Sequence, residues 1–362
     1  MVPKGWTLGT LKDLADTIMG YAFRSEDFVP TGIPLLRMGN LYQNTLDLNR
    51  NPVYLPDSFK VDYKRFLVSP GDLVMSMTGT MGKRDYGFTV EIPSNTQCSL
   101  LNQRVLKIVP KNNASSGYIL NLLRSELILS VLYSFPGGTK QANLSAKQLQ
   151  ELPVLIPPEL EQKKIAQILS TWDKAISVTE KLLTNSQQQK KALMQQLLTG
   201  QKRLLDENGV RFSGDWNSSK LGDLFNFKKG KGLSKSDLSE SGINKCILYG
   251  ELYTKYAEIA YEVISRTNSS DGQLSEPGDI LLPASTTTSG IDLANATALS
   301  EGGILLGGDI NILRPKVRLS SPFLAYFLTH MKKNEISSRA QGITIIHLYG
   351  GDLKSIDIVL PS

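Results

Sequence analysis

Cysteine and histidine are almost missing from this chain of 362 residues, which carries two of each. Cys98 and Cys246 stand far apart, and His330 and His347 lie distant from both. Neither a disulfide framework nor a zinc knuckle is expected from such spacing, and no metal site is assigned. Apolar runs of membrane-spanning length are also missing. The first residues, Met1-Val2-Pro3-Lys4-Gly5-Trp6, lack the apolar centre of a signal peptide, so the cytoplasm is the expected compartment and no membrane is expected as a partner.

Catalytic motifs are missing as well. Asn51-Pro52-Val53-Tyr54 has the outline of the Asn-Pro-Pro-Tyr of amino-methyltransferases, but Val53 replaces a proline and no glycine-rich cofactor loop precedes it. A turn before a strand explains it better. Gly79-Thr80-Met81-Gly82-Lys83-Arg84 has the glycines of a phosphate loop without its spacing, or a Ser/Thr after the lysine. No nucleophile elbow occurs. The chain is expected to catalyse nothing alone and to carry no catalytic residue.

One stretch lacks the helix breakers. The chain has 17 Pro and 30 Gly, yet none falls between Glu159 and Thr199. Pro157-Pro158 precedes the stretch and Gly200 follows it, the asymmetry usual at helix ends. Within it, Ile165, Leu169, Trp172, Ile176, Thr179, Leu183, Ser186, Lys190, Leu193 and Leu197 recur at alternating spacings of four and three, a heptad seam. Such a helix is about 60 Å long at 1.5 Å per residue, and it reads as a spacer or a dimerisation strut. Thr179, Ser186 and Lys190 are polar interruptions that weaken its centre. Between Glu159 and Leu204 eight basic side chains face four acidic ones, most of the chain's net +6. The flanking regions are therefore nearly neutral. Any nucleic acid they bind must be held by local patches.

The regions on either side of the helix repeat one another. Trp6 with Leu11-Lys12-Asp13-Leu14 returns as Trp216 with Leu221-Gly222-Asp223-Leu224; Gly20, Phe23, Asp27 and Phe28 return as Gly230, Leu233, Asp237 and Leu238. Gly39-Asn40-Leu41-Tyr42 returns as Gly250-Glu251-Leu252-Tyr253, Pro70-Gly71-Asp72-Leu73 as Pro277-Gly278-Asp279-Ile280, and Pro110-Lys111 as Pro315-Lys316. Gly138, Leu144, Leu149 and Pro157 match Gly342, Leu348, Leu353 and Pro361. One order with a slowly drifting offset implies two copies of one domain. Each copy is mixed. Strands are expected after the Pro-Gly-Asp turns, over Arg104 to Val109, and over Val154-Leu155-Ile156 and Ile356 to Leu360. A helix is expected over Tyr118 to Phe135, with Leu122, Leu123, Leu127 and Leu132 on one side, matched by Phe323 to Met331. The fold class is α+β: two similar domains, 1–156 and 205–362, joined by one long coiled-coil-type α-helix within 157–204.

Several of these segments resemble the specificity subunit of type I restriction–modification systems. They are Pro157-Pro158 with Glu161-Gln162-Lys163-Lys164-Ile165-Ala166, Leu169-Ser170-Thr171-Trp172-Asp173, Leu197-Leu198-Thr199-Gly200 with Arg203-Leu204, and Phe212-Ser213-Gly214 before Trp216. Met77-Thr78-Gly79-Thr80-Met81-Gly82-Lys83 and Gly138-Thr139-Lys140-Gln141-Ala142-Asn143-Leu144 look like parts of that family's recognition domains. The resemblance implies two target-recognition domains, each reading one half of a split sequence in double-stranded DNA. It implies a helix after each domain, the pair lying antiparallel as a ruler. Modification (methyltransferase) subunits and a restriction (translocase–nuclease) subunit are the implied partners. S-adenosylmethionine, ATP and magnesium are expected on those partners and no cofactor on this chain. The alternative is a non-catalytic structural adaptor whose two domains bind proteins rather than DNA.

The candidate DNA contacts follow from residue type and place. In the first copy they are Arg24, the Gly-rich loop with Thr78, Thr80, Lys83, Arg84 and Tyr86, and the polar loop with Lys140, Gln141 and Asn143. In the second they are Lys228, Lys229, Lys231 and Lys235, then Ser285, Thr286, Thr287, Thr288 and Ser289, then Arg339, Gln341 and His347. Hydroxyls and lysines suit phosphates, Arg suits guanine edges, and Gln and Asn suit adenine. The repeat aligns Pro157-Pro158 with Pro361-Ser362, so the second helix is expected to be absent. The seam of Ile165, Leu169, Trp172, Ile176, Leu183, Leu193 and Leu197 then needs another partner. A second copy of the chain is favoured, and another specificity chain or the modification subunits are the alternatives.

Overall fold

The computed structural model describes residues 2–111, 113–135 and 141–361. It divides into two compact units, 1–182 and 183–362, with the boundary inside the long helix. Gly138 and Lys140 lie outside the described residues.

Each unit is closed by its own ends. Thr7–Thr10 pairs antiparallel with Pro153–Ile156, Thr7 opposite Ile156. Trp216–Lys220 pairs in the same way with Asp357–Pro361, Trp216 opposite Pro361. The main sheet of the first unit runs in the order Ala15–Met19, Val105–Pro110, Leu73–Ser76, Thr89–Glu91. That of the second runs Phe225–Lys229, Ile310–Pro315, Ile280–Pro283, Thr297–Leu299, with Ile259–Ala260 added at the edge. A smaller sheet in each unit holds one parallel pair, Ile33–Leu36 with Ser99–Leu101 and Asn244–Ile247 with Leu305–Leu306. The repeat seen in the sequence is thus matched in the order of the shared strands of both sheets.

The repeated tripeptides have backbone duties. In Pro70-Gly71-Asp72 and Pro277-Gly278-Asp279 the glycines adopt φ +88° and +91°, a left-handed turn that suits glycine. The aspartates close those turns by accepting the N–H of Ser69 and Glu276, each at 2.8 Å. Each also meets a cation from the neighbouring strand. Lys107 Nζ lies 2.6 Å from Asp72, and Arg314 forks onto both oxygens of the fully buried Asp279 at 2.9 and 2.7 Å. The repeated Pro-Lys pairs end the next strand: Lys111 and Lys316 donate their N–H to Leu14 and Leu224 at 2.8 Å, and their ammonium groups reach the carbonyls of Lys12 and Gly222.

Where a single helix is expected over Tyr118 to Phe135, two are found, Ser116–Arg124 and Glu126–Ser134. Ser125 takes extended backbone between them and its hydroxyl caps the second at Ile128. The break turns Leu127 outward, to 69% exposed, while Leu123 and Leu132 remain buried against the sheet. The long helix spans Glu159–Leu198, 40 residues. At its start Gln162 is buried, accepting the N–H of Ser115 at 3.0 Å and donating to the Pro157 carbonyl at 2.9 Å. Ile165 packs on the first unit's core, which removes it from the free seam. At the other end Leu198 and Met194 pack into the second unit's core. Gly200 turns away with φ +70° directly over Trp216; a Cβ there would lie 2.9 Å from the indole ring. Every residue from Gln167 to Leu193 is exposed. The polar interruption at Lys190 has a local use: its ammonium lies 5.7 Å over the Tyr326 ring and 4.0 Å from Glu258. The hydrogen bond from His330, 2.5 Å, holds the buried Glu258 carboxyl below its ordinary pKa against the opposing effect of burial.

Asp279→Ala would strip the buried Arg314 guanidinium of its two-oxygen partner and leave it the more exposed Glu276 and the Leu274 carbonyl. A loss of about 3–5 kcal/mol in the second unit is expected, and a smaller one of about 1–2 kcal/mol for Asp72→Ala in the first. Chemical denaturation of the two variants checks the order; equal losses would contradict it.

Candidate nucleic-acid interface

Two loops far apart in the chain meet in each unit. In the first, Thr78–Thr80 pairs antiparallel with Gln141–Asn143, Thr80 opposite Gln141 and Thr78 opposite Asn143. In the second, Ser285–Thr286 pairs with Ile346–His347, Ser285 opposite His347. These short ribbons occupy matching places: Leu144 and Leu348 follow them and donate their N–H to the carbonyls of Met77 and Ala284. The candidate group around Thr78 and Thr80 thus meets that of Gln141 and Asn143, and the group around Ser285 and Thr286 meets that of Gln341 and His347. Lys140 lies outside the described residues.

The first edge is sorted by burial. Thr80, Lys83, Arg84 and Asn143 are exposed and Gln141 is half-buried. Asp85 organises the loop by accepting the Thr80 N–H at 2.7 Å. Burial pushes the Asp85 carboxyl up, but its bonds from Thr80 outweigh this and hold it below the ordinary carboxylate value. Gly79 is required beneath it, since a Cβ would fall 2.3 Å from that carboxylate. Arg84 is half committed: it pairs with Glu126 at 2.6 Å and lies 5.2 Å over the Tyr133 ring. Two expected contacts lie inside. Tyr86 is only 5% exposed, edge-on to Tyr133 within the core, and burial pushes its phenol pKa up. Thr78 is buried with its hydroxyl on the Met38 sulfur at 2.8 Å. Arg24 is exposed, at the start of the turn Ser25–Asp27.

The second edge is built differently on the same frame. Lys228, Lys229, Lys231 and Lys235 are exposed; Lys229 and Lys231 stand 4.0 and 3.8 Å from Asp309 and Asp271. Ser285 and Thr286 are buried, Ser285 donating to Asp309 at 3.0 Å and Thr286 sharing a hydrogen bond with Thr288 at 2.8 Å. Thr287, Thr288 and Ser289 remain at the surface, and Ser289 caps the turn Gly290–Ala294. Arg339 is not a free guanine reader. Its guanidinium is spent on Glu335 at 3.0 Å, the Asp352 carbonyl and the Ser355 hydroxyl, clamping two short helices together. Gln341 and His347 close a hairpin through reciprocal N–H···O bonds of 2.8 and 2.7 Å. Beside His347 lies a cavity of about 260 Å³ lined by Lys228, Lys229, Tyr349 and Lys354. Tyr349 and Lys354 are additions that the sequence pattern did not single out, because only the fold brings them to Lys229.

The Asn51-Pro52-Val53-Tyr54 stretch has a backbone role. Asn51 forms a left-handed turn with φ +49°, its carbonyl held by Arg37, and Tyr54 enters a strand paired with Ile33–Leu36. Among the described residues no three His, Cys, Asp or Glu side chains are grouped to hold a metal ion, and no helix is long and apolar enough to cross a membrane.

The sequence model of the type I restriction modification DNA specificity domain matches residues 3–185 and 213–362, most of both units. The chain belongs to this specificity-domain family. A Methanocaldococcus jannaschii relative, provisionally named as the specificity subunit of type I restriction enzyme MjaX, is 24% identical over 99% of this chain and 84% of its own length. The type I restriction enzyme MjaVIII specificity subunit of the same organism is 25% identical over 57% of this chain and 48% of its own length. The crystal structure of a type I restriction–modification S subunit from M. genitalium shares the fold, with a TM-score of 0.59 at 17% identity, over 99% of this chain and 85% of that one. Seen against this family, the two ribbons are where one frame carries two different sets of side chains.

Lys83 and Arg84 should separate in experiment. With Lys83 in no salt bridge among the described residues and Arg84 bound to Glu126, Lys83→Ala is expected to lower the salt slope of DNA binding by about one, and Arg84→Ala by less. Titration of duplex DNA at several salt concentrations measures both slopes; two unchanged slopes would remove the loop from the interface.

Proposed function

We propose that this chain is the DNA sequence-recognition subunit of a type I restriction–modification complex. Each unit reads one half of a bipartite target. The helix sets the gap and docks the methyltransferase subunits. The observation that carries this reading is the matched pair of ribbons, Thr78–Thr80 with Gln141–Asn143 and Ser285–Thr286 with Ile346–His347. Ribbons in matching places, of three residue pairs in the first unit and two in the second, border loops with different exposed side chains, which suits two half-sites of different sequence. The chain is non-catalytic in this reading and works in the cytoplasm. S-adenosylmethionine, ATP and magnesium belong to the modification and restriction subunits.

Selection from a random duplex library, with the modification subunits present, tests the proposal. Enrichment of two short sequences at a fixed gap is expected. Inserting four residues after Ala175, in the exposed part of the helix, adds roughly 6 Å and so lengthens the gap by about two base pairs while both half-sites persist. An intact complex that enriches no sequence would favour a protein-binding adaptor.

We also propose that the exposed seam, Leu169, Trp172, Ile176, Leu183 and Leu193, pairs with a helix of a second specificity chain, a second copy of this one being favoured. It runs into an apolar groove of about 850 Å³ lined by Leu193, Leu197, Trp216, Phe323 and Tyr326. Each such side chain contributes roughly 1.5–3 kcal/mol when fully buried. Leu169→Asp with Leu193→Asp is expected to abolish self-association while both units stay folded, as read by light scattering and circular dichroism. A wild-type chain that is a soluble monomer at tens of micromolar would contradict the pairing.

A further inference from the structure

The most exposed apolar side chain among those described is Ile343, at 98%. A lone exposed isoleucine is ordinary on a protein surface, but its setting here is not. It stands at the tip of the hairpin closed by Gln341 and His347, whose two reciprocal N–H···O bonds fix the loop at its base. Gly342 supports the tight path with φ +124°; a Cβ there would fall 2.0 Å from the Ile345 carbonyl oxygen. Ile345, two residues on, is half exposed, while Ile346 packs on the core and anchors the hairpin. The loop is thus a braced apolar finger.

Its base is basic. His347 closes the hairpin and also lines the cavity that holds Lys228, Lys229 and Lys354, with Asp309 the one carboxylate there. The His347 and Tyr349 rings stack 6.1 Å apart at 16°. An apolar tip rising from a cationic floor matches a polyanion that carries apolar groups within reach. In the major groove of duplex DNA the only such group on the base edges is the thymine 5-methyl. Lysines are sparse at the centre of protein–protein interfaces, so Lys228, Lys229 and Lys354 beside the hairpin favour a polyanion over a protein as the partner.

The geometry points to Ile343 as a base-reading side chain of the second unit, packing on a thymine methyl while Lys229 and Lys354 hold the flanking phosphates. This rests on the DNA-reading function proposed above and adds to it a named base in the second half-site. Ile343 would discriminate thymine from the other pyrimidine by its methyl. Its partners in the hairpin would position it without touching that base.

The test uses the full chain with its modification subunits and the duplex that the complex selects. Each thymine in turn is replaced by deoxyuridine, which removes the methyl alone. For the wild-type complex, about four-fold weaker binding is expected at one or two thymines of one half-site, the scale of one buried methyl group. Ile343→Ala should bind the thymine duplex about as weakly as wild type binds the deoxyuridine duplex, and should lose nothing further when the methyl is removed. The other half-site should be unaffected. An Ile343→Ala complex as sensitive to deoxyuridine as wild type would overturn the assignment while leaving DNA recognition intact. A wild-type complex that selects no sequence would overturn both. Because the side chain is almost wholly in solvent, the variant's thermal melt should match wild type, which keeps misfolding out of the comparison.

Discussion

The pairing of first strand with last is the constraint on which each unit depends. Thr7–Thr10 cannot meet Pro153–Ile156 unless everything between them folds back, and Trp216–Lys220 imposes the same closure through Asp357–Pro361. Entry and exit of the chain are thereby brought side by side. Once the ends are fixed, the aspartates of the Pro-Gly-Asp turns and the cations opposite them pin the middle of each main sheet. The two ribbons then fall at matching places, because Leu144 and Leu348 can donate to Met77 and Ala284 only in that register.

Such a frame leaves the recognition edges free to vary. Inward side chains of the ribbons, such as Thr78, Ala142, Ser285 and Ile346, are tied to the units behind them, and the backbone bonds of the ribbon leave the outward ones free to differ. The first unit fills its edge with a loop organised by Asp85; the second uses lysines, a hydroxyl run anchored on Asp309 and a hairpin tipped by isoleucine. The same logic separates the two ends of the long helix from its middle. Gln162, Ile165, Met194 and Leu198 are absorbed by the unit next to each, while the stretch between is left in water.

Much of this is legible in the sequence, and the legible part has a common cause. Gly71, Gly278, Asp72 and Asp279 repeat because a left-handed turn and its acceptor tolerate few substitutes, so the two-copy fold can be read from short identical pieces. The helix is legible because one breaker would end it. Burial is less legible. Tyr86 and Arg339 have residue types suited to DNA, yet one is packed on Tyr133 and the other is consumed by Glu335, Asp352 and Ser355, partners set by the fold. The break at Ser125 escapes a periodicity count because serine fits a helix and a cap equally well. Ile343 escapes a search for polar readers because the thymine methyl is recognised by an apolar group.

The central claim is that each unit reads its own half of the target. Its most direct measurement is a genome-wide map of methylated bases in a host carrying this chain and its modification subunits, taken with the native chain and with Gln141→Ala plus Asn143→Ala. Both substitutions lie on the first unit's ribbon. The account predicts that one half of the methylated sequence relaxes, while the other half and the gap are unchanged. Changes spread over both halves, or an unaltered sequence, would contradict it.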